Sequence, residues 1–223
     1  MAEKRKFSIK SDFTMLALLL IPIAVAVNFV GGQIASGLKL PFYLDTIGTI
    51  LVAMLCGPWV GAVAGLVTNL VMGIANPIYI PFAIVNVAVG LVTGFCARKG
   101  GFTLLGGIAS YWWKWLISIV LMAAVSIITA APLVVIMFGG MTGSGTSLIT
   151  AALVATGQNI WTAFISTELI FTVLDRIISI FFTIIIIKVI PSRMLIKFSL
   201  SEFYVQQEAD GPEDSDDAED DDD

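Results

Sequence analysis

The stretch YLDTIGTILVAMLCGPWVGAVAGLVTNL, residues 43–70, decides the fold. One carboxylate, Asp45, heads an apolar run that turns over at Gly57 and Pro58 and then continues apolar. Proline lacks an amide donor and restricts the residue before it, so this pair ends one helix and begins another. Two apolar helices joined so closely form a tight hairpin. The surrounding composition names its solvent. Hydrophobic residues make up 57% of the 223, charged residues only 13%, and the mean hydropathy is +0.94. Such values lie far outside the soluble globular range and identify an integral membrane protein.

Charge is segregated along the chain. Twelve of the 17 acidic residues lie between Glu202 and Asp223, and Glu3 and Asp12 precede the first apolar run. Only Asp45, Glu168 and Asp175 remain in the body, so the net charge of −5 belongs to the tail. That tail, EADGPEDSDDAEDDDD, cannot bury a core, and residues 198–223 are expected to be a solvated, disordered cytoplasmic segment or an electrostatic contact for a basic partner. Histidine is absent, which removes the commonest transition-metal ligand and the commonest neutral-pH base. Cys56 and Cys96 stand apart at no metal or redox spacing and read as packing residues. No strand pattern, phosphate loop or nucleophile–base set occurs, so the chain is read as no enzyme, without metal or cofactor and with no nucleic-acid partner.

Apolar runs at 13–30, 45–57, 59–75, 81–97, 109–138 and 170–190 predict six transmembrane helices, with 13–197 as the membrane domain and 1–12 as a basic cytoplasmic N-terminus. A further stretch, 147–167, carries several polar residues and follows the glycine-rich run FGGMTGSGTS. It is expected to form an outer amphipathic or re-entrant helix between helices five and six, a seventh span being the alternative. Six spans place Lys4, Arg5, Lys6 and Lys10, then Arg98 and Lys99, then Arg193 and Lys197 on one side. The positive-inside rule makes that side the cytoplasm, with both termini there and the protein in the cell membrane. Trp112, Trp113 and Trp115, with Tyr111 and Lys114, read as an aromatic belt at that interface.

An ionisable group inside a membrane costs several kcal/mol unless it is paired or wetted, so it is a functional candidate by default. Asp45 and Glu168 fall near the outer ends of their helices; each reads either as a site residue or as a helix-end carboxylate, and Asp45 is also a candidate N-cap. Asp175 lies deeper, seven residues from Glu168 and so on the same helix face. Its neighbour Arg176 is expected to pair with another helix or to reach back toward Thr172. Asn28, Gln33, Asn69, Asn76, Tyr79, Asn86, Gln158, Asn159 and Trp161 mark the same outer half. Singly each reads as interhelical glue, but together they describe an outward pocket for a small polar molecule with a flat ring. Gly61 with Gly65, and Gly90 with Gly94, form two small-xxx-small pairs that permit close helix approach.

The polar loop and hairpin in LPFYLDTIGTILVAMLCGPWVGAVAGLVTNLVMG, the segment FAIVNVAVGLVTGFCARKG and the last helix DRIISIFFTIIIIKVIPSRML resemble the S components of energy-coupling factor transporters, over about residues 13–197. The resemblance implies a six-helix protein that captures a vitamin-like organic micronutrient at the outer face. It implies as partners a transmembrane coupling protein and two ATP-binding-cassette ATPases, which supply the energy. It carries the binding role to Asn86, Gln158, Asn159, Trp161, Glu168 and Asp175, with Asp45 and Tyr79 in the loops between, and implies that GGQIASGLKLP closes as a gate. S components commonly show AxxxA on helix one for docking; here Ile21 follows Ala17 and Asn28 follows Ala24 at that spacing. Ala17 and Ala24, shared with Gly61 and Gly65, are the docking positions it implies. A ligand-sensing membrane module that signals to a cytoplasmic partner is the alternative function.

Overall fold

The computed structural model describes residues 12–105 and 111–205. Lys4, Arg5, Lys6, Lys10 and the acidic tail from 206 onward lie outside the described residues. The described chain is helical, without strands. Its helices are α1 (Met15–Gly37), α2 (Ile47–Cys56), α3 (Pro58–Ala75), α4 (Ala83–Arg98), α5 (Trp112–Pro132), α6 (Gly145–Ala155), α7 (Ile160–Val189) and the short α8 (Ser192–Leu195). The last turn of α5 widens into a π-helix over Leu133–Met137. Four elements, α1, α3, α5 with its π turn, and α7, are long and apolar enough to cross a membrane. This is compatible with a multi-pass membrane protein.

The short helix α2 is the centre of the bundle. All ten of its residues are buried, and α1, α3, α4 and α7 pack around it. A helix apolar on every side must be enclosed, and at about 15 Å it is half the thickness of the hydrocarbon. The long helices do the opposite. Met15, Leu19, Ile23, Val30 and Ile34 run down the outside of α1, exposed by half or more, and Leu169 and Phe181 do so on α7. An apolar stripe of that length facing outward is what a helix covered by lipid or by a partner carries.

Gly57 and Pro58 turn the chain between α2 and α3 as the sequence predicts. Gly57 has φ +103°, a left-handed conformation, and Pro58 opens α3 at its first turn. A Cβ on Gly57 would also lie 2.7 Å from the Asp12 carboxylate. Asp12 receives Arg98 Nη2 at 2.5 and 2.6 Å, tying the start of α1 to the end of α4. Burial pushes the Asp12 carboxyl up, and Arg98 with the Trp59 amide pulls it back down. Arg98→Ala is expected to lower stability by about 2 kcal/mol, since it leaves a buried carboxylate without its charged donor. An unchanged melting temperature in lipid nanodiscs would remove this latch from the account.

The paired glycines serve the fold internally. Gly61 faces Gly90, Gly65 faces the Asn86 backbone, and Gly94 faces Pro58, so α3 and α4 meet backbone to backbone. Ala17 and Ala24 are fully buried as well, and Ala24 abuts Gly48 of α2. The four docking positions read from the sequence are thus consumed by contacts within the bundle and present no outer face. Small residues mark close helix approach, but spacing cannot say which helix approaches.

Three other expectations change. The stretch 147–167 is two elements, because Gly157 at φ +92° ends α6 and Asn159 caps α7, which begins at Ile160 rather than near 170. Residues 198–205 pack with the bundle instead of joining the tail: Phe198, Leu200 and Tyr204 are buried, and Tyr204 Oη donates to the Met54 carbonyl at 3.1 Å. In the aromatic belt, Trp112 and Trp113 are exposed, but Trp115 is buried edge-on against Phe102 at 5.5 Å.

Candidate functional site

The ends of α1 and α3, the starts of α2, α4 and α6, the last turns of α5 and the first half of α7 meet at one end of the bundle. They enclose a cavity of about 230 Å³. Arg98, Lys99 and Lys114 lie at the opposite end, where Gly100 adjoins Phe203 and Lys114.

One wall is built on the segment between α1 and α2. Tyr43 and Leu44 both donate backbone N–H groups to Asp175 Oδ1, at 2.9 and 3.0 Å. Leu44 takes φ +53° there, a conformation that a leucine adopts only when its surroundings impose it. The Tyr43 hydroxyl donates to Glu168 Oε1 at 2.6 Å and adjoins Thr146 Oγ1 at 2.9 Å, while Thr172 Oγ1 donates to Glu168 Oε2 at 2.8 Å. Burial, reinforced by the Glu168 charge, pushes the Tyr43 hydroxyl well up, so it keeps its proton and remains the donor. Arg176 donates to Thr46 Oγ1, and its Nη1 lies 3.6 Å from Asp175 Oδ2. It therefore reaches the α2 entry, as pairing away from its own helix predicts, and not Thr172.

The opposite wall is an amide cluster. Asn86 Nδ2 donates to Asn69 Oδ1 at 2.8 Å and reaches the Asp45 carbonyl at 3.4 Å. Asn69 Nδ2 donates to the Tyr79 carbonyl at 3.0 Å, which fixes the short turn Pro77–Tyr79 over the cavity. Asn28 belongs to the core instead. It donates to Thr49 and Thr68 and accepts from the Gly48 amide, so every group it carries is used in joining three helices.

The glycine-rich run ahead of α6 covers the cavity. Thr142, Ser144, Thr146 and Ser147 join their hydroxyls at 3.0–3.2 Å, and Lys39 Nζ donates to the Gly143 carbonyl at 3.0 Å. Gly145 lies against the Leu40 carbonyl, where no side chain fits. Of the expected gate, Gly31, Gly32 and Gly37 belong to α1, and only the residues from Leu38 onward form a loop. That loop is clamped by Asp175, Glu168 and Gly143.

Asp45 is the outlier among these groups. It lines the cavity half-buried, and its carboxylate accepts only from its own backbone amide. Burial and then the nearby Asp175 charge push it up, Arg176 opposes them, and it settles at about 6. It is not the N-cap of α2; Thr46 holds that position.

Among the residues expected from sequence, Asp45, Tyr79, Asn86 and Glu168 line this cavity. Asp175 stands one layer behind it, fully buried, holding the wall. Gln158, Asn159 and Trp161 do not reach it. All three are exposed, and the Asn159 side chain is spent accepting the Trp161 amide at 2.9 Å. The cavity adds residues that the sequence reading left out as site members: Lys39, Tyr43, Thr46, Ser144, Thr146, Thr172 and Arg176. Tyr43 stands two residues from Asp45 in the stretch that defines the hairpin, and Arg176 is one of the few charges in the body; scarcity was the signal for both. No family model, curated protein or solved structure matches the chain. Among the described residues no group of three or more carboxylates and cysteines could hold a metal ion.

Proposed function

We propose that this protein is the substrate-capturing membrane subunit of an ATP-driven uptake system, binding a small vitamin-like organic molecule and handing it inward. The observation that carries the reading is a cavity at one end of the bundle in which carboxylates, amides and hydroxyls are set among apolar side chains. Membrane interiors retain buried carboxylates and amides where they serve a ligand or ion, and here Asp45, Glu168, Asn69 and Asn86 share one cavity. In this reading α2 and α4 complete six crossings as short helices shielded from lipid by their neighbours. The basic residues Arg98, Lys99 and Lys114 sit at the end away from the cavity, so the positive-inside rule turns the cavity outward. Energy comes from a coupling protein and two ATP-binding-cassette ATPases, as in the transporters that the sequence resembles. Because Ala17, Ala24, Gly61 and Gly65 are buried, docking uses other residues on the outer faces of the long helices.

The test is mass spectrometry of small molecules released from the purified full-length protein, followed by titration of the released compound. Glu168→Ala is expected to weaken its binding about tenfold or more, because the Tyr43 and Thr172 hydroxyls in the wall lose the carboxylate that positions them. Asn159→Ala is expected to leave affinity unchanged, since that side chain caps α7 outside the cavity. Equal effects of the two substitutions would contradict the site. Uptake in cells holding the coupling protein and ATPases, but not in cells lacking them, separates transport from sensing.

A further inference from the structure

We infer that the molecule held in the cavity carries a cationic nitrogen that seats on the Asp45 carboxylate, with a flat ring against Tyr79, Phe82 and Phe164. This rests on the capture reading and specifies its ligand. The argument is a census of the charged groups. Both Glu168 oxygens already receive hydroxyl donors, from Tyr43 and Thr172. Asp175 Oδ1 takes two backbone amides, and its Oδ2 faces Arg176 at 3.6 Å. Arg176 is held through Nη1 by Asp175 and Thr46, and its Nε has no partner. Lys39 lies exposed at the mouth with its ammonium on the Gly143 carbonyl. What is left is Asp45, a half-buried carboxylate lining the cavity with only its own amide as donor.

The balance of charge points the same way. Asp45, Glu168 and Asp175 face a single interior guanidinium, Arg176. Excess negative charge away from water is costly, and a ligand cation removes the excess while supplying the donor that Asp45 lacks. An anionic ligand would meet two carboxylates in the wall, with Arg176 already held beside Asp175 and Lys39 at the rim on the Gly143 carbonyl. The apolar part of the wall sets the rest of the ligand. Phe164 is buried, Phe82 is stacked on Phe138 at 5.9 Å, and Tyr79 is fixed through its carbonyl by Asn69. A volume of about 230 Å³ is smaller than the roughly 300–1,000 Å³ typical of drug-sized sites and fits one ring system with a short substituent.

The experiment uses the full-length protein in lipid nanodiscs, titrated with benzamidine and with benzoate, which share a ring and differ in the sign of their charge. Benzamidine is expected to bind at least about tenfold more tightly than benzoate, and Asp45→Asn to erase most of that preference while retaining the wild-type melting temperature. Binding is also expected to weaken as pH falls through about 6, where Asp45 gains its proton. The other titratable groups around it are Lys39, Tyr43, Tyr79, Glu168, Asp175 and Arg176, so the Asp45→Asn variant must lose this pH step for it to be assigned to Asp45. A preference for benzoate, or an Asp45→Asn variant that discriminates as the wild type does, overturns the inference. A molecule released from the purified protein that bears only acidic groups overturns it too, yet leaves capture standing. A protein that releases no molecule and binds neither probe overturns both.

Discussion

Gly90→Ala, a change of one methyl group, is expected to destabilise the protein by about 3 kcal/mol and to disturb the cavity with it. A Cβ at Gly90 would lie 2.5 Å from the carbonyl carbon and oxygen of Gly61. The obstacle is backbone, which has no alternative rotamer, so α3 and α4 must move apart. Separation also strains the Asn86–Asn69 hydrogen bond one turn away, which spans the same two helices. Gly37→Ala is the matched control. Its Cβ would meet nothing within 4 Å, and alanine is the better helix former, so stability is expected to hold or rise slightly. Thermal unfolding of both variants in nanodiscs checks the pair; equal melting temperatures would mean that α3 and α4 are not in close contact.

Asp175→Ala is expected to cost about 3–5 kcal/mol and to abolish ligand binding. Its carboxylate is fully buried and does two jobs, holding the Tyr43 and Leu44 amides and facing the Arg176 guanidinium. Removing it leaves a buried cation with Thr46 as its hydroxyl partner and releases a segment held in a conformation that leucine resists. The double variant Asp175→Ala/Arg176→Met separates the two jobs. It is expected to recover much of the stability, because the orphaned charge is gone, but not the binding, because the segment carrying Tyr43 and Asp45 stays unanchored. Recovery of both would show that the loop does not depend on Asp175.

Much of this architecture is legible in the chain. The hairpin at Gly57 and Pro58 follows from local backbone chemistry, and the observed helices begin or end within a few residues of the apolar runs for α2, α3 and α4. Four of the polar residues that line the cavity, Asp45, Tyr79, Asn86 and Glu168, are legible because a charge or amide among aliphatic side chains is conspicuous. The errors have a common cause. Gln158, Asn159 and Trp161 sit in what reads as one amphipathic segment, and a single φ of +92° at Gly157 divides it and turns them outward. Gly61 and Gly65 read equally well as an outer docking face or an inner seam, since spacing describes a face and not its neighbour.

From the sequence alone came the long apolar helices compatible with a membrane, the hairpin at the centre of the fold and the scarcity of charge in its body, because transfer energies and backbone restrictions act residue by residue. The tertiary structure alone decided which charges meet: Tyr43 with Glu168 across 125 positions, and Arg176 with Thr46 across 130. It also decided that Asp45 receives only its own backbone amide. Pairing of this kind depends on how helices far apart in the chain pack around α2, and no local pattern encodes that distance.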